Sequence, residues 1–255
     1  MSALTLDLTE TERISFARLV KVELRKSADT RAGRWLLIAI GSLTAIFMVI
    51  FFAVADSEDR IFENFIAIAA TPQGFLLPVL GILLVTTEWS QRTALTTFAL
   101  EPSRTKVIAA KTVAALILGL AAFFAALFVA MLCTLAGGSG GPFEGLTVAT
   151  FTLFLALQLL TVIQGLAYGL LWLNTPAAIV TFFVLPIASS IVFSLVQRMQ
   201  DAAPWVDLGT AQTPLFEGQT ALTGEEYAQL ATTSLIWIVV PFVIGWIRVM
   251  RAEVK

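Results

Sequence analysis

Six stretches of this chain run for 20 residues or more without an aspartate, glutamate, lysine or arginine: Trp35–Ala55, Phe65–Thr87, Thr112–Ala136, Leu146–Leu173, Pro176–Val196 and Ala228–Ile247. At about 1.5 Å per helical residue, each is long enough to cross the roughly 30 Å hydrocarbon core of a bilayer. Barrel strands are excluded, because they alternate apolar and polar residues over about ten positions, and these stretches are apolar on all sides. The expected fold is therefore all-α and integral to the membrane, with six transmembrane helices over 35–247. Composition agrees: 58% of residues are hydrophobic and 13% charged, against about a quarter charged in soluble domains. So few charges cannot coat a globular surface, and the remaining surface must face lipid. Only Asn174 and Thr175 separate the fourth and fifth stretches, which predicts a tight hairpin.

The basic residues set the expected orientation. Seven lie before the first stretch (Arg13, Arg18, Lys21, Arg25, Lys26, Arg31, Arg34). Four lie between the second and third (Arg92, Arg104, Lys106, Lys111), and three in the tail over 248–255 (Arg248, Arg251, Lys255). Six crossings put all of these on one side, leaving only Arg60 and Arg198 on the other. The positive side is the cytoplasm, so both termini are expected there, in the plasma membrane. Acidic residues lean the other way: Asp56, Glu58, Asp59 and Glu63 follow the first span, and Asp201, Asp207, Glu217, Glu225 and Glu226 precede the last.

Residues 1–34 carry a pattern of their own. Thr9 and Glu12 have capping-box spacing, which predicts a helix start there. Phe16, Ala17, Val20 and Leu24 share one face, and Arg18, Lys21 and Arg25 another. The expectation is an amphipathic helix lying along the membrane surface, in contact with lipid. Between spans two and three, Glu88–Leu100 is compatible with a helix, which Pro102 stops because proline disfavours helical geometry at Glu101. Ser103 can cap the helix that follows. On the other side, Gly137–Pro142 reads as a flexible turn. The segment before span six, with Pro204, Trp205, Pro214 and Phe216, reads as a compact cap. Thr223 and Glu226 have capping-box spacing, so the last helix is expected to start a turn before its apolar run.

The same inventory excludes much chemistry. There is no histidine, so imidazole-based metal sites, catalytic triads and proton relays are out. No Gly-Lys-Ser/Thr loop is present to hold nucleotide phosphates, and no ionisable residue interrupts a span as a proton relay would. Sodium coupling through carbonyls and hydroxyls stays open. The single cysteine, Cys133, excludes an internal disulfide. The net charge of −2 gives no reason to expect a nucleic-acid partner. No catalytic residue, metal site or bound cofactor is expected in this chain, and a driving force would come from another polypeptide.

Six spans, a basic amphipathic entry helix, an inner loop between spans two and three and a short basic tail together resemble the permease subunits of ABC-2 type ATP-binding-cassette exporters. The local match is the loop Thr87–Lys111, where Glu88, Thr93, Pro102, Arg104 and Lys111 follow the family's run of residues. The departure is Arg92, where a glycine is common. The resemblance implies that this loop forms a coupling helix, with Glu88, Arg92, Thr93, Pro102, Arg104 and Lys111 serving contact with a cytoplasmic ABC ATPase that holds ATP and magnesium. It also implies a second permease subunit, identical or different, and outward transport.

Polar residues within the spans are candidates for either a substrate path or helix packing: Gln158, Thr161 and Gln164 in span four, Ser189, Ser190 and Ser194 in span five. Gly165 and Gly169 allow a close helix neighbour, internal or from a second subunit. Pro78, Pro186 and Pro241 can kink spans two, five and six. Since these lining candidates carry no charge, an amphipathic or hydrophobic substrate such as a lipid or drug is the expected cargo. A stand-alone carrier or channel, or a non-transporting scaffold, is the alternative.

Overall fold

A computed structural model describes residues 14–137, 143, 147–216 and 222–253. All regular structure among them is helical. Helix α1 spans Phe16–Asp29, α2 Arg31–Val54, α3 Phe62–Ser90, α4 Ala94–Leu100, α5 Arg104–Gly137, α6 Val148–Trp172 and α7 Thr175–Leu195. A 3₁₀ turn over Gln197–Ala202 leads into two short helices, α8 (Ala203–Val206) and α9 (Leu208–Phe216). Helix α10 (Gly224–Ser234) continues through a π turn at Leu235–Val239 into α11 (Val240–Arg251). Six helices are long and apolar enough to cross a bilayer: α2, α3, α5, α6, α7 and the continuous α10–α11. That is the architecture of a multi-pass membrane protein.

The helices overrun the charge-free stretches at one end. Helix α3 continues to Ser90, α5 starts at Arg104 and α11 reaches Arg251. At 34 residues, α5 is about 51 Å long, far more than the hydrocarbon core requires. The additional turns meet one another. Lys111 reaches Glu23, Arg104 reaches the end of α11, Arg248 donates to Leu171 O at 2.8 Å, and Thr175 donates to Thr86 at 2.8 Å. All described basic residues except Arg60 and Arg198 therefore lie on the elements of this end, called the basic end below.

Helices α3 and α6 form the centre, each burying most of its spanning window, while the other four spans are mostly uncovered. Their contact is close because both are notched. A Cβ at Gly165 would overlap the backbone of Pro78, and one at Gly81 would overlap Val162 O and Leu166 N. Gly169 faces Ile82 and Val85 across the same seam. The neighbour of the Gly165–Gly169 pair is thus internal. Gly245 repeats the device, bringing α11 against Leu170 of α6.

Near mid-length of four spans, Gln73 of α3 donates to Thr44 Oγ1 of α2 at 3.3 Å and to Ala122 O of α5 at 3.1 Å, and accepts from Gln158 of α6. Gln73 and Gln158 are 1% and 2% exposed. A buried amide in hydrocarbon needs such partners, since none comes from water. Gln158 is thus held in the interior of the bundle, bonded to Gln73.

Several local expectations change. Glu88–Leu100 is not one helix. Glu88 lies in the last turn of α3, which ends at Ser90, and a turn at Gln91–Thr93 separates that helix from α4. That turn holds Arg92 at φ 57, left-handed geometry that a side chain resists by about 1–2 kcal/mol. Glycine at this position removes the clash at some entropic cost. Arg92→Gly is expected to stabilise the chain by about 1 kcal/mol or less. A thermal melt in detergent checks this, and a clear loss of stability would show that the arginine side chain contributes more than its backbone costs.

Other boundaries also differ. The Thr9–Glu12 spacing lies outside the described residues, and α1 starts at Phe16 with Ser15 as its cap. Most of Gly137–Pro142 lies outside them as well. Helix α3 runs unbroken past Pro72 and Pro78, as does α7 past Pro186. Only span six departs from α geometry, in the π turn just before Pro241, where an inserted residue re-satisfies the backbone. The 173–174 hairpin closes through left-handed Leu173 (φ 51) and Asn174, which accepts from Ala177 N at 3.0 Å. Thr223 and Glu226 form a reciprocal capping box at the start of α10.

Candidate functional site at the basic end

Four charged side chains from three helices meet at the basic end. Lys111 of α5 donates to Glu23 Oε2 of α1 at 2.7 Å, to Leu84 O of α3 at 2.8 Å, and lies 3.1 Å from Glu88 Oε1. Lys26 of α1 completes the set, 2.8 Å from Glu23 Oε1 and 2.5 Å from Glu88 Oε1. The side chains of Lys111, Glu23 and Glu88 are 5%, 6% and 9% exposed. Two cations face two anions, so the group is neutral; three of its members are buried, and Lys26, 38% exposed, closes it toward the outside. Burial alone would lower the affinity of Lys26 for its proton. The Glu23 and Glu88 carboxylates outweigh burial and hold it above its ordinary range.

The partners explain the position of α1. Its buried stripe is Val20, Glu23 and Ser27, three and four residues apart and so on one face. Phe16 and Ala17, a turn earlier, are exposed. The face turned to the bundle carries a glutamate, because Lys111 is buried opposite and requires an anion.

Helix α4 stands against this group. Thr97 donates to Glu88 Oε1 at 3.2 Å, and Phe98 packs on Trp89 of α3 with centroids 6.3 Å apart. The guanidinium of Arg104 lies 5.1 Å from the Phe98 ring. The same guanidinium donates to Val249 O at 2.5 Å, Met250 O at 3.2 Å and Ala252 O at 2.9 Å. It satisfies the terminal carbonyls of α11, which have no helical partner. Leu95 and Leu100 of α4 are 56% and 71% exposed. Glu101 follows in extended geometry before Pro102 and accepts from Ser103 N at 3.1 Å.

The residues singled out in this loop therefore divide. Glu88 and Lys111 join in the interior. Arg104 clamps the end of α11, and Thr93 donates back to Glu88 O through both its N–H, at 2.9 Å, and its hydroxyl, at 3.4 Å. Arg92 and Pro102 are exposed at the turns on either side of α4. Glu23 and Lys26 were not anticipated as site residues. The available signal was a glutamate on the same helical face as Val20 and Ser27.

The candidates inside the spans do not converge. Thr161 donates to Leu157 O in its own helix. Gln164 is buried with its Nε2 unpartnered. Ser189 and Ser190 both donate to Asp207, at 2.5 and 2.9 Å, while Ser194 donates to Ile191 O. Asp207 also accepts from the Thr210 N–H and hydroxyl and is fully buried. Burial raises its carboxyl affinity for a proton, but these donors win and hold it below the usual carboxylate range. With Trp237 Nε1 donating to Val206 O at 2.7 Å, Asp207 ties α8 and α9 back onto spans five and six.

Neither the protein-family models nor the curated proteins contain a match to this chain.

Proposed function

We propose that this chain is the permease subunit of an ABC-2 type exporter, driven by ATP hydrolysis on a separate cytoplasmic subunit that carries ATP and magnesium. The observation that carries the reading is α4. A seven-residue helix stands outside the spans, presents Leu95 and Leu100 outward, and is bonded through Thr97 to a glutamate at the end of a central span. A partner pressing on α4 would move the Glu88 group, and with it α1, α3 and α5. Through Arg104 it would also pull on the end of α11. Such a helix is a coupling helix, and α1 is the amphipathic entry helix at the inner surface.

The absence of any nucleotide loop or intramembrane relay in the sequence supports an external energy source. The orientation follows from the basic end lying in the cytoplasm of a cell whose plasma membrane holds the chain. A second permease subunit would complete the path, and the uncharged spans favour an amphipathic or hydrophobic cargo. Leu95→Asp and Leu100→Asp are expected to abolish copurification of an ABC ATPase while leaving the melting temperature of the chain unchanged, since both side chains face outward. Vectorial transport by the purified chain alone would sink the proposal and favour a stand-alone carrier.

A further inference from the structure

Between α1, α3, α4 and α5, beside the buried charges, lies a cavity of about 510 Å³. That is within the size of ordinary ligand pockets. Leu19, Leu80, Leu83, Leu84 and Val107 give it apolar walls. Its floor is buried, with Leu80 1% and Lys111 4% exposed, whereas Val22 and Leu100 at its rim are 43% and 71% exposed. It is a recess with largely apolar walls, buried charge at its floor and an open mouth.

Two properties restrict the occupant. The first is level. Leu80, Leu83 and Leu84 belong to a spanning helix, whereas α1 and α4 lie outside the spans. The recess therefore straddles the depth at which acyl chains give way to head groups. The second is charge. Its ionisable lining consists of Arg18, Lys26 and Lys111 against Glu23, Glu88 and Glu101, equal numbers of each sign. A head of net charge would bring an uncompensated charge beside a balanced set whose Lys111, Glu23, Glu88 and Glu101 are buried. A head with both signs would not.

We propose that this recess is a lipid site holding one acyl chain of a zwitterionic phospholipid, the chain against Leu80 and Leu84 and the head at the mouth beside Arg18, Glu101 and Thr96. The site requires no ATPase and stands independently of the transport reading.

The test uses the full chain in nanodiscs of equal parts phosphatidylethanolamine and phosphatidylglycerol, released for native mass spectrometry. One phosphatidylethanolamine is expected to stay bound per chain, in preference to phosphatidylglycerol. Val22→Trp and Thr96→Trp, each filling the mouth from an exposed position, are expected to reduce its occupancy by about tenfold or more. Val184→Trp, at a 56% exposed position away from the recess, should leave it unchanged. Circular dichroism confirms that each variant is folded. Equal retention of the two lipids, retention of phosphatidylglycerol alone, or full occupancy in both mouth variants overturns the proposal. So does loss of a chain dimer, rather than of lipid, in those variants, which would assign the recess to a second copy.

Discussion

Lys111→Met is expected to destabilise the chain by about 3–5 kcal/mol, the cost of stranding buried charge when one partner of an ion group is removed. Methionine preserves much of the length and apolar stem but leaves Glu23 and Glu88 sharing only Lys26. It also removes the donor to Leu84 O. The loss is electrostatic rather than steric, so it should be recoverable. Adding Glu23→Gln restores one cation to one anion, so the double variant should lose less stability than the sum of the two single variants, by a coupling of about 0.5–3 kcal/mol. Thermal unfolding in detergent of both singles and the double measures it. Lys111→Met as stable as the parent, or losses that simply add, would show that these four groups do not act as one unit.

Gly165→Leu is expected to prevent the bundle from assembling. The side chain would have to occupy the backbone of Pro78, which cannot swing aside as a flexible side chain can. Overpacking typically costs about 1–3 kcal/mol. A clash with backbone between the two central helices lies at or above that range. Gly165→Ala is the milder version and should lower the melting temperature measurably. Gly41→Leu is the control, because a Cβ at Gly41 meets nothing within 4 Å. If Gly165→Ala and Gly41→Leu melt alike, the α3–α6 seam is looser than its geometry requires.

The spans were legible because the cost of burying charge in hydrocarbon writes itself directly into the sequence. Their ends were less so. Beyond the hydrocarbon a charged residue can continue a helix freely, as Arg104 and Arg251 do. The turn before α4 could be anticipated in one respect: the position where a glycine was expected is the one with left-handed geometry, although Arg92 occupies it. The ion group was half visible. Glu88 and Lys111 stood out by their place in the loop, but nothing local pairs them with a glutamate 88 residues from Lys111. The same holds for Gln158, whose partner Gln73 lies 85 residues away. Asp207 counted only among the acidic residues before the last span, and the structure makes it the acceptor for two hydroxyls of span five. Each miss is a long-range pairing, and one-dimensional periodicity carries no information on which buried polar group meets which.

The Gln73 cluster joins α2, α3, α5 and α6 at about the middle of each. Sliding one of these rods along its neighbours would break that tie and strand an amide in hydrocarbon, where no water replaces the lost partner. The cluster is a latch on vertical register, holding the four spans at one height relative to each other.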